Sequence, residues 1–356
     1  MLINENKELR KEINRLIDIN NINMNVADML NVAFNYTDLF SKEEIYQYIK
    51  EGFKEEEAIV DMLYDFYQLN RHDDENKAIM DEFFLKRIKK LSTFDFKEDL
   101  YAKTIKDEGW YGKYALKYIN YEPYQLFPYD EIATSEDYKE YSAVGFFNQP
   151  FSYLALTEGN NIWMSLNPNE ILTMKPFIDK GKGHVLVLGL GMGYVPFMLA
   201  NKKEVKSITI VEKDQEIINL FKSLIFPKFI NKDKINIVKD DAIEYAKNHN
   251  RFDYIFADLW HSPEDGLSLF LKLKKISTKI DCWLETSLVA LLRRCMLSLI
   301  EEIINGSKED DYRFAKTVTD KVINDYYMKT KNIVINDVND LHNLLSTHNL
   351  LKLAIN

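Results

Sequence analysis

The sequence predicts an α/β fold: a doubly wound, mainly parallel sheet, with a helical N-terminal domain and a small β-element between them. Three observations carry this. From about residue 167 onward, runs rich in Val and Ile alternate with helical stretches. The run Val185-Leu186-Val187-Leu188-Gly189-Leu190-Gly191-Met192-Gly193-Tyr194 passes from a buried strand into a glycine turn and then a helix. The first ~110 residues place their apolar side chains at helical spacing.

In chain order, residues 1–110 form the helical domain. Ser41 and Glu44 make a capping-box pattern ahead of Ile45 and Tyr46. Ile59, Met62, Leu63 and Phe66 share one helical face, and Ile79, Phe83, Phe84, Ile88 and Leu91 share another. Such stripes bury themselves against something, which gives these helices a surface for a homodimer. The cluster Lys86, Arg87, Lys89 and Lys90 reads as a solvated helix face.

Residues 111–166 are crowded with aromatics, and strand-like pieces at 142–147, 151–157 and 162–165 sit between turn signals. This is the β-element, its aromatics packing between the flanking parts. From 167 to 356 the chain reads as a nucleotide-type domain with a C-terminal extension. Asn167-Pro168-Asn169-Glu170 opens a helix with proline in its first turn. Strands are expected at 184–189, 206–212, 235–239, 253–258 and 279–285, apolar for most of their length, as strands buried on both faces are. Leu288, Leu291, Leu292, Cys295, Leu299 and Ile303 mark a later apolar helix, with Arg293-Arg294 expected on its outer face. A weak strand at 332–335 and a helix from Asp337 through Leu345 follow.

Composition narrows the function classes. The 356 residues suit two domains or one large one with an extension, and the 46% that are hydrophobic are ample for a core. No run of ~18 apolar residues exists to span a membrane. The N-terminus has no basic region followed by an apolar stretch, so no secretion signal is expected. The two cysteines, Cys282 and Cys295, lie in apolar surroundings and fit a reducing cytoplasm. A net charge of −10 opposes non-specific nucleic-acid binding. No metal is expected, and a small-molecule substrate is.

The candidate site follows from where each strand ends, because ligands of such sheets bind at the carboxyl ends of the strands. Gly189, Gly191 and Gly193 follow the first strand and let a ligand approach the backbone. Glu212 ends the second strand, near the spacing of about 20 residues expected for an acid gripping ribose hydroxyls. Asp240, Asp241 and Ala242 follow the third strand, where a carboxylate can accept from an adenine amino group; Asp241 is preferred to Asp240. Asp258, Leu259, Trp260 and His261 follow the fourth. A nicotinamide-binding sheet shares the turn and the acid after strand two. It would carry a third glycine where Tyr194 stands, however, and it leaves Asp241 and Asp258 unexplained.

The block Val185–Asp258 resembles the class I S-adenosylmethionine-dependent methyltransferase fold, which is Rossmann-like. Within it, the block is most similar to the spermidine-synthase-like branch. The resemblance rests on Val185 to Gly189 with no acid before the first glycine, on Ile210-Val211-Glu212-Lys213-Asp214, and on Asp241-Ala242. It covers roughly residues 170 to 290. It implies that Gly189, Gly191 and Gly193 line the methionine part of S-adenosyl-L-methionine. Glu212 then holds the ribose, Asp241 and the Ala242 backbone read the adenine, and Asp258 lies beside the sulfonium.

The expected activity is methyl transfer from S-adenosylmethionine, with Asp258 orienting the acceptor and His261 as a base. Two alternatives stay open: aminopropyl transfer of the spermidine-synthase type, and a non-catalytic S-adenosylmethionine-binding module. Polyamine synthases of the branch carry an acid within the glycine turn, where this chain has Met192. They also carry an acid-rich loop after strand four, where Asp258-Leu259-Trp260-His261-Ser262-Pro263 has one acid for two. On these grounds methyl transfer is preferred.

Overall fold

Four parallel strands, Gly183–Leu188, Val205–Glu212, Ile235–Lys239 and Tyr254–Ala257, form the sheet that organises the candidate site. The first of them is flanked by the second on one side and the fourth on the other, and the third pairs with the second. The order is therefore 3-2-1-4, with reversal beside the first strand, which is the switch point of a Rossmann-like sheet. Its register pairs Leu188 with both Val211 and Ala257. Gly189, Glu212 and Asp258, each next along its strand, consequently share one edge. Val185, Leu186, Val187 and Leu188 are all buried, each stabilising the sheet by about 1.5–3 kcal/mol.

The structure is a computed structural model describing residues 1–249, 251–306 and 316–355. Residues 307–315 of the expected C-terminal extension thus lie outside the described residues. The chain divides into two units. One comprises Val26–Ile132 and Tyr141–Asp258; the other comprises Met1–Asn25, Ala133–Glu140 and Leu259–Asn356.

The first of these units contains the helices Lys42–Lys50 and Glu55–Phe66 as well as the parallel sheet. Ser41 caps the former by accepting from the Glu44 N–H at 3.1 Å. The stripe through Leu91 is not one helix. A helix at Asp74–Ile79 loosens into a π-helical turn at Met80–Leu85, and the chain then extends as the strand Ile88–Lys90. That strand pairs in parallel with Val144 to Phe146, so strand pairing overrides the local period. The basic cluster is also not wholly solvated: Arg87 stacks on Tyr141 at 3.8 Å, and Lys90 pairs with Glu55.

The β-element is an antiparallel sheet of Gly109–Tyr111, Tyr114–Tyr121, Phe151–Glu158 and Asn161–Ser165. Tyr121, Phe151 and Tyr153 of this sheet form a core with Phe96, Phe127 and Phe147, against which Ile171 and Leu172 of the helix Pro168–Lys180 pack. Asn167 caps that helix, accepting from the Glu170 N–H at 3.0 Å.

The other unit contains the helices Pro263–Ile276, Glu285–Ile304, Val318–Thr330, Val338–Leu344 and Thr347–Ile355. The expected strand at 279–285 shrinks to Asp281–Cys282. Leu284 turns left-handed at φ 54° and the next helix begins at Glu285, whose carboxylate holds the buried Lys274. The short strand Val334–Ile335 pairs in parallel with Leu2–Ile3. Arg293 is buried over the Tyr138 ring instead of facing outward, while Arg294 pairs with Glu140. Cys282 and Cys295 are both buried free thiols. Among the described residues no helix is long and apolar enough to cross a membrane.

Candidate functional site

The glycine turn leaves the first strand at its carboxyl end and is fixed by backbone bonds. Gly189 donates to the Val211 carbonyl at 2.9 Å, and Gly193 donates to the Leu190 carbonyl at 2.8 Å. Gly191 and Gly193 have φ of 49° and 76°, in the left-handed region that disfavours a side chain. A Cβ at Gly193 would collide with the Phe221 ring, and one at Gly191 with the Met164 sulfur. The turn's outer wall comes from a distant segment. The Tyr101 hydroxyl donates to the Met192 carbonyl, and the Tyr194 hydroxyl donates to Asp99 at 3.1 Å. The helix that follows, Tyr194–Ala200, is short, and Pro196 removes one of its first-turn N–H groups.

Glu212 reaches back over the turn. One carboxylate oxygen accepts from the Leu190 N–H at 3.2 Å and the other from the Asp214 N–H at 2.8 Å. A carboxylate has about four acceptor positions, so both oxygens keep capacity for hydroxyl donors. Asp241 is the N-cap of the helix Ala242–Asn248, its Oδ1 accepting from the Ile243 and Glu244 N–H groups at 2.9 and 3.0 Å. Asp240 accepts from the Asp241 N–H through its own Oδ1 at 2.8 Å. Both aspartates are exposed, and Ala242 is half-buried.

Asp258 and Glu170 are the chemically distinctive pair. They line one pocket together with Ser165, Gly189, Met192, Gly193 and Tyr194. Asp258 retains some exposed surface, but its carboxyl group is deep enough that lost hydration raises its pKa to about 7. Glu170 is pushed well above the usual carboxylate range, first by lost hydration and then by the charge of Asp258. The sequence reading missed Glu170. The Asn-x-x-Glu spacing is that of a helix cap, and only the backbone half of that cap forms. The pocket is tight: its cavity of about 30 Å³ has room for about one water, and Met164 lies over Gly191. An adenosyl ligand therefore requires side chains such as Met164 to swing aside.

His261 and Trp260 belong to the other unit. The His261 backbone N–H and ring Nδ1 both face the Asp265 carboxylate, the ring contact being 3.4 Å. Asp265 also completes the capping box with Ser262 at the start of the helix Pro263–Ile276. Trp260 is buried, packs on Gly266, and donates its indole N–H to the Trp283 carbonyl at 3.2 Å.

Part of the chain is similar to known proteins. Residues 168–285 match the model of the spermine/spermidine synthase domain. Over 108 residues the chain is 32% identical to a polyamine aminopropyltransferase of Buchnera aphidicola subsp. Acyrthosiphon pisum (strain Tuc7), covering 29% of this chain and 37% of that protein. Over 109 residues it is 35% identical to the polyamine aminopropyltransferase of Buchnera aphidicola subsp. Schizaphis graminum (strain Sg), covering 29% of this chain and 38% of that protein. The chain thus spans little more than a third of the length of the curated relatives it matches. The crystal structure of spermidine synthase from Thermotoga maritima is 16% identical, with a TM-score of 0.29, covering 37% of this chain and 47% of that one. That structural likeness is too slight to bear on the reaction.

The matches bear out the spermidine-synthase-like character of the sequence and overturn the preference for methyl transfer. The matching relatives are aminopropyltransferases, so neither the methyltransferase assignment nor intact S-adenosylmethionine as cofactor stands. Met192 weighed against aminopropyl chemistry because the turn lacks an acid. The pocket nevertheless contains two carboxylates, one of them delivered by the helix that precedes the first strand.

Proposed function

We propose that this chain transfers an aminopropyl group from decarboxylated S-adenosylmethionine to an amine. The observation that carries the reading is the match of residues 168–285 to the spermine/spermidine synthase domain, a span that contains the pocket residues Glu170 and Asp258.

In this reading Gly189, Gly191 and Gly193 border the aminopropyl–sulfonium part of the donor. Glu212 takes the ribose hydroxyls, and Asp241 with the Ala242 backbone takes the adenine. The nitrogen lone pair of the acceptor amine attacks the terminal methylene of the aminopropyl group bonded to sulfur. A carbon–nitrogen bond forms as the carbon–sulfur bond breaks, its electron pair returning to sulfur to leave neutral methylthioadenosine. The acceptor nitrogen sheds one proton, and this reading assigns its removal to Asp258 in its ionised form. Because the sulfonium is already a good leaving group, the protein's main work is to desolvate and aim the amine. A group with a pKa of about 7 suits a base working near neutrality. His261 is assigned no step, since its ring faces Asp265.

The test is turnover. The protein incubated with decarboxylated S-adenosylmethionine and a diamine such as putrescine is expected to release methylthioadenosine and an aminopropylated amine in equal amounts. Asp258→Asn is expected to lower the rate by about 100-fold or more. Absence of both products across a panel of primary amines contradicts the proposal.

A further inference from the structure

We propose that the Glu170 carboxylate is the counter-ion for the terminal ammonium of the aminopropyl donor, and that it selects the decarboxylated donor over intact S-adenosylmethionine. This rests on the aminopropyl-transfer reading above and deepens it.

Glu170 has no evident structural task for its charge. It stands in the first turn of the helix Pro168–Lys180, where a glutamate could bond back to the cap residue. Only its backbone N–H is used, donating to Asn167. Its side chain instead lines the pocket beside the glycine turn. Among the described residues, no lysine, arginine or histidine pairs with Glu170 or with Asp258, and no hydrogen-bond donor meets either carboxylate.

The groups facing Glu170 are of one kind. From the end of the fourth strand, Asp258 repels its ionised form. From the β-element, the buried Tyr121 hydroxyl lies within reach of its charge and is itself held by Tyr153 and Asn167. The rest of the pocket wall is largely apolar, with Met164, Leu166, Met174, Met192 and Phe256. Two carboxyls in an apolar pocket with no cation hold their protons, and ionise at little cost only when a ligand supplies the positive charge.

The two forms of the donor differ in one respect here. The decarboxylated form ends in a bare ammonium, which can satisfy Glu170 with a charge-assisted hydrogen bond. The intact form carries an α-carboxylate beside that ammonium. In this pocket the extra carboxylate finds no arginine, lysine or histidine and faces two charges of its own sign. The apolar Met192 contributes none of this discrimination, so the burden falls on Glu170. Asp258 remains for the acceptor amine.

The experiment is calorimetric titration of the full chain with three probes: decarboxylated S-adenosylmethionine, intact S-adenosylmethionine, and methylthioadenosine, which has no ammonium. In the native protein, binding of the decarboxylated donor is expected to release protons, measured across buffers of different ionisation enthalpy. Methylthioadenosine should release none. Glu170→Gln is expected to weaken the decarboxylated donor by about tenfold or more while leaving methylthioadenosine within about twofold. Glu170→Asp should recover part of the loss. Retained methylthioadenosine binding shows that the variant is folded. Should Glu170→Gln not fold, the proton release of the native protein decides, and its absence overturns the inference. Unchanged preference between the two donors in a folded Glu170→Gln variant also overturns it, leaving the aminopropyl reading intact. Failure of the native protein to bind any of the three probes overturns both.

Discussion

The hydroxyl of Tyr101 donates a hydrogen bond to the carbonyl oxygen of Met192, joining a short helix before the β-element to the centre of the glycine turn. Tyr101 is fully buried, and its ring meets those of Tyr194 and Phe197 edge-on. Tyr101→Phe keeps the packing and strands a buried carbonyl. The expected cost is about 1–3 kcal/mol of stability, read by chemical denaturation, together with weaker methylthioadenosine binding. Unchanged values for both would show that the turn holds its shape without this bond.

The turn is also fixed from its other side. Gly193→Ala places a methyl group against the Phe221 ring at a left-handed backbone position. The expected loss is about 2–3 kcal/mol. Phe221→Leu in the same chain should return part of it, measured as a non-additive term in a double-mutant cycle. Strict additivity of the two substitutions would mean that the collision is relieved elsewhere.

Asp258 gives stability a pH dependence of defined sign. In an unfolded chain an aspartate ionises near pH ~4, whereas in the folded protein Asp258 ionises at about 7. Between those values the folded state binds more protons than the unfolded state, so this group's contribution falls as pH rises through the window. Asp258→Asn removes that decline. Relative to the native protein, the variant is expected to gain stability from pH 4 to pH 8, on the order of 4 kcal/mol at the upper end. A constant difference in denaturation midpoint across the range would place Asp258 in a more hydrated setting.

Glu212 accepts one backbone hydrogen bond on each oxygen, so its charge and its geometry can be tested separately. Glu212→Gln retains one acceptor oxygen and loses the charge. Methylthioadenosine affinity is expected to fall about tenfold or more, with a stability loss of about 1 kcal/mol. Unchanged affinity in a folded variant would remove Glu212 from the ribose role.

The parallel sheet was legible because buried parallel strands announce themselves. Val185 to Leu188 is a continuous apolar run and Ile208 to Val211 is broken only by Thr209, and the glycine turn and the Glu212 position follow from them. Other elements were hidden because their determinants are not local. Ile88 fits a helical stripe, yet it is a strand through its pairing with Val144. The strand Tyr114–Tyr121 was obscured by tyrosines, which suit a strand, a packing surface or a pocket wall equally well. The strand at 279–285 reads as apolar, but Lys274 draws Glu285 into a helix start and shortens it to Asp281–Cys282. Glu170 was the costliest omission. In the sequence it completes a capping pattern, and only the fold brings it into the pocket of Asp258. The preference for methyl transfer leaned on the acid missing at Met192, which the sequence displays, whereas the second carboxylate of the pocket is visible only in the fold.

The central claim is that this pocket takes a cationic aminopropyl donor. The most direct test is competition between decarboxylated and intact S-adenosylmethionine for the native protein at pH 7.5. The account predicts that the decarboxylated form binds at least about tenfold more tightly, because only the intact form brings an α-carboxylate against Glu170 and Asp258. Equal affinity, or preference for the intact form, would contradict it.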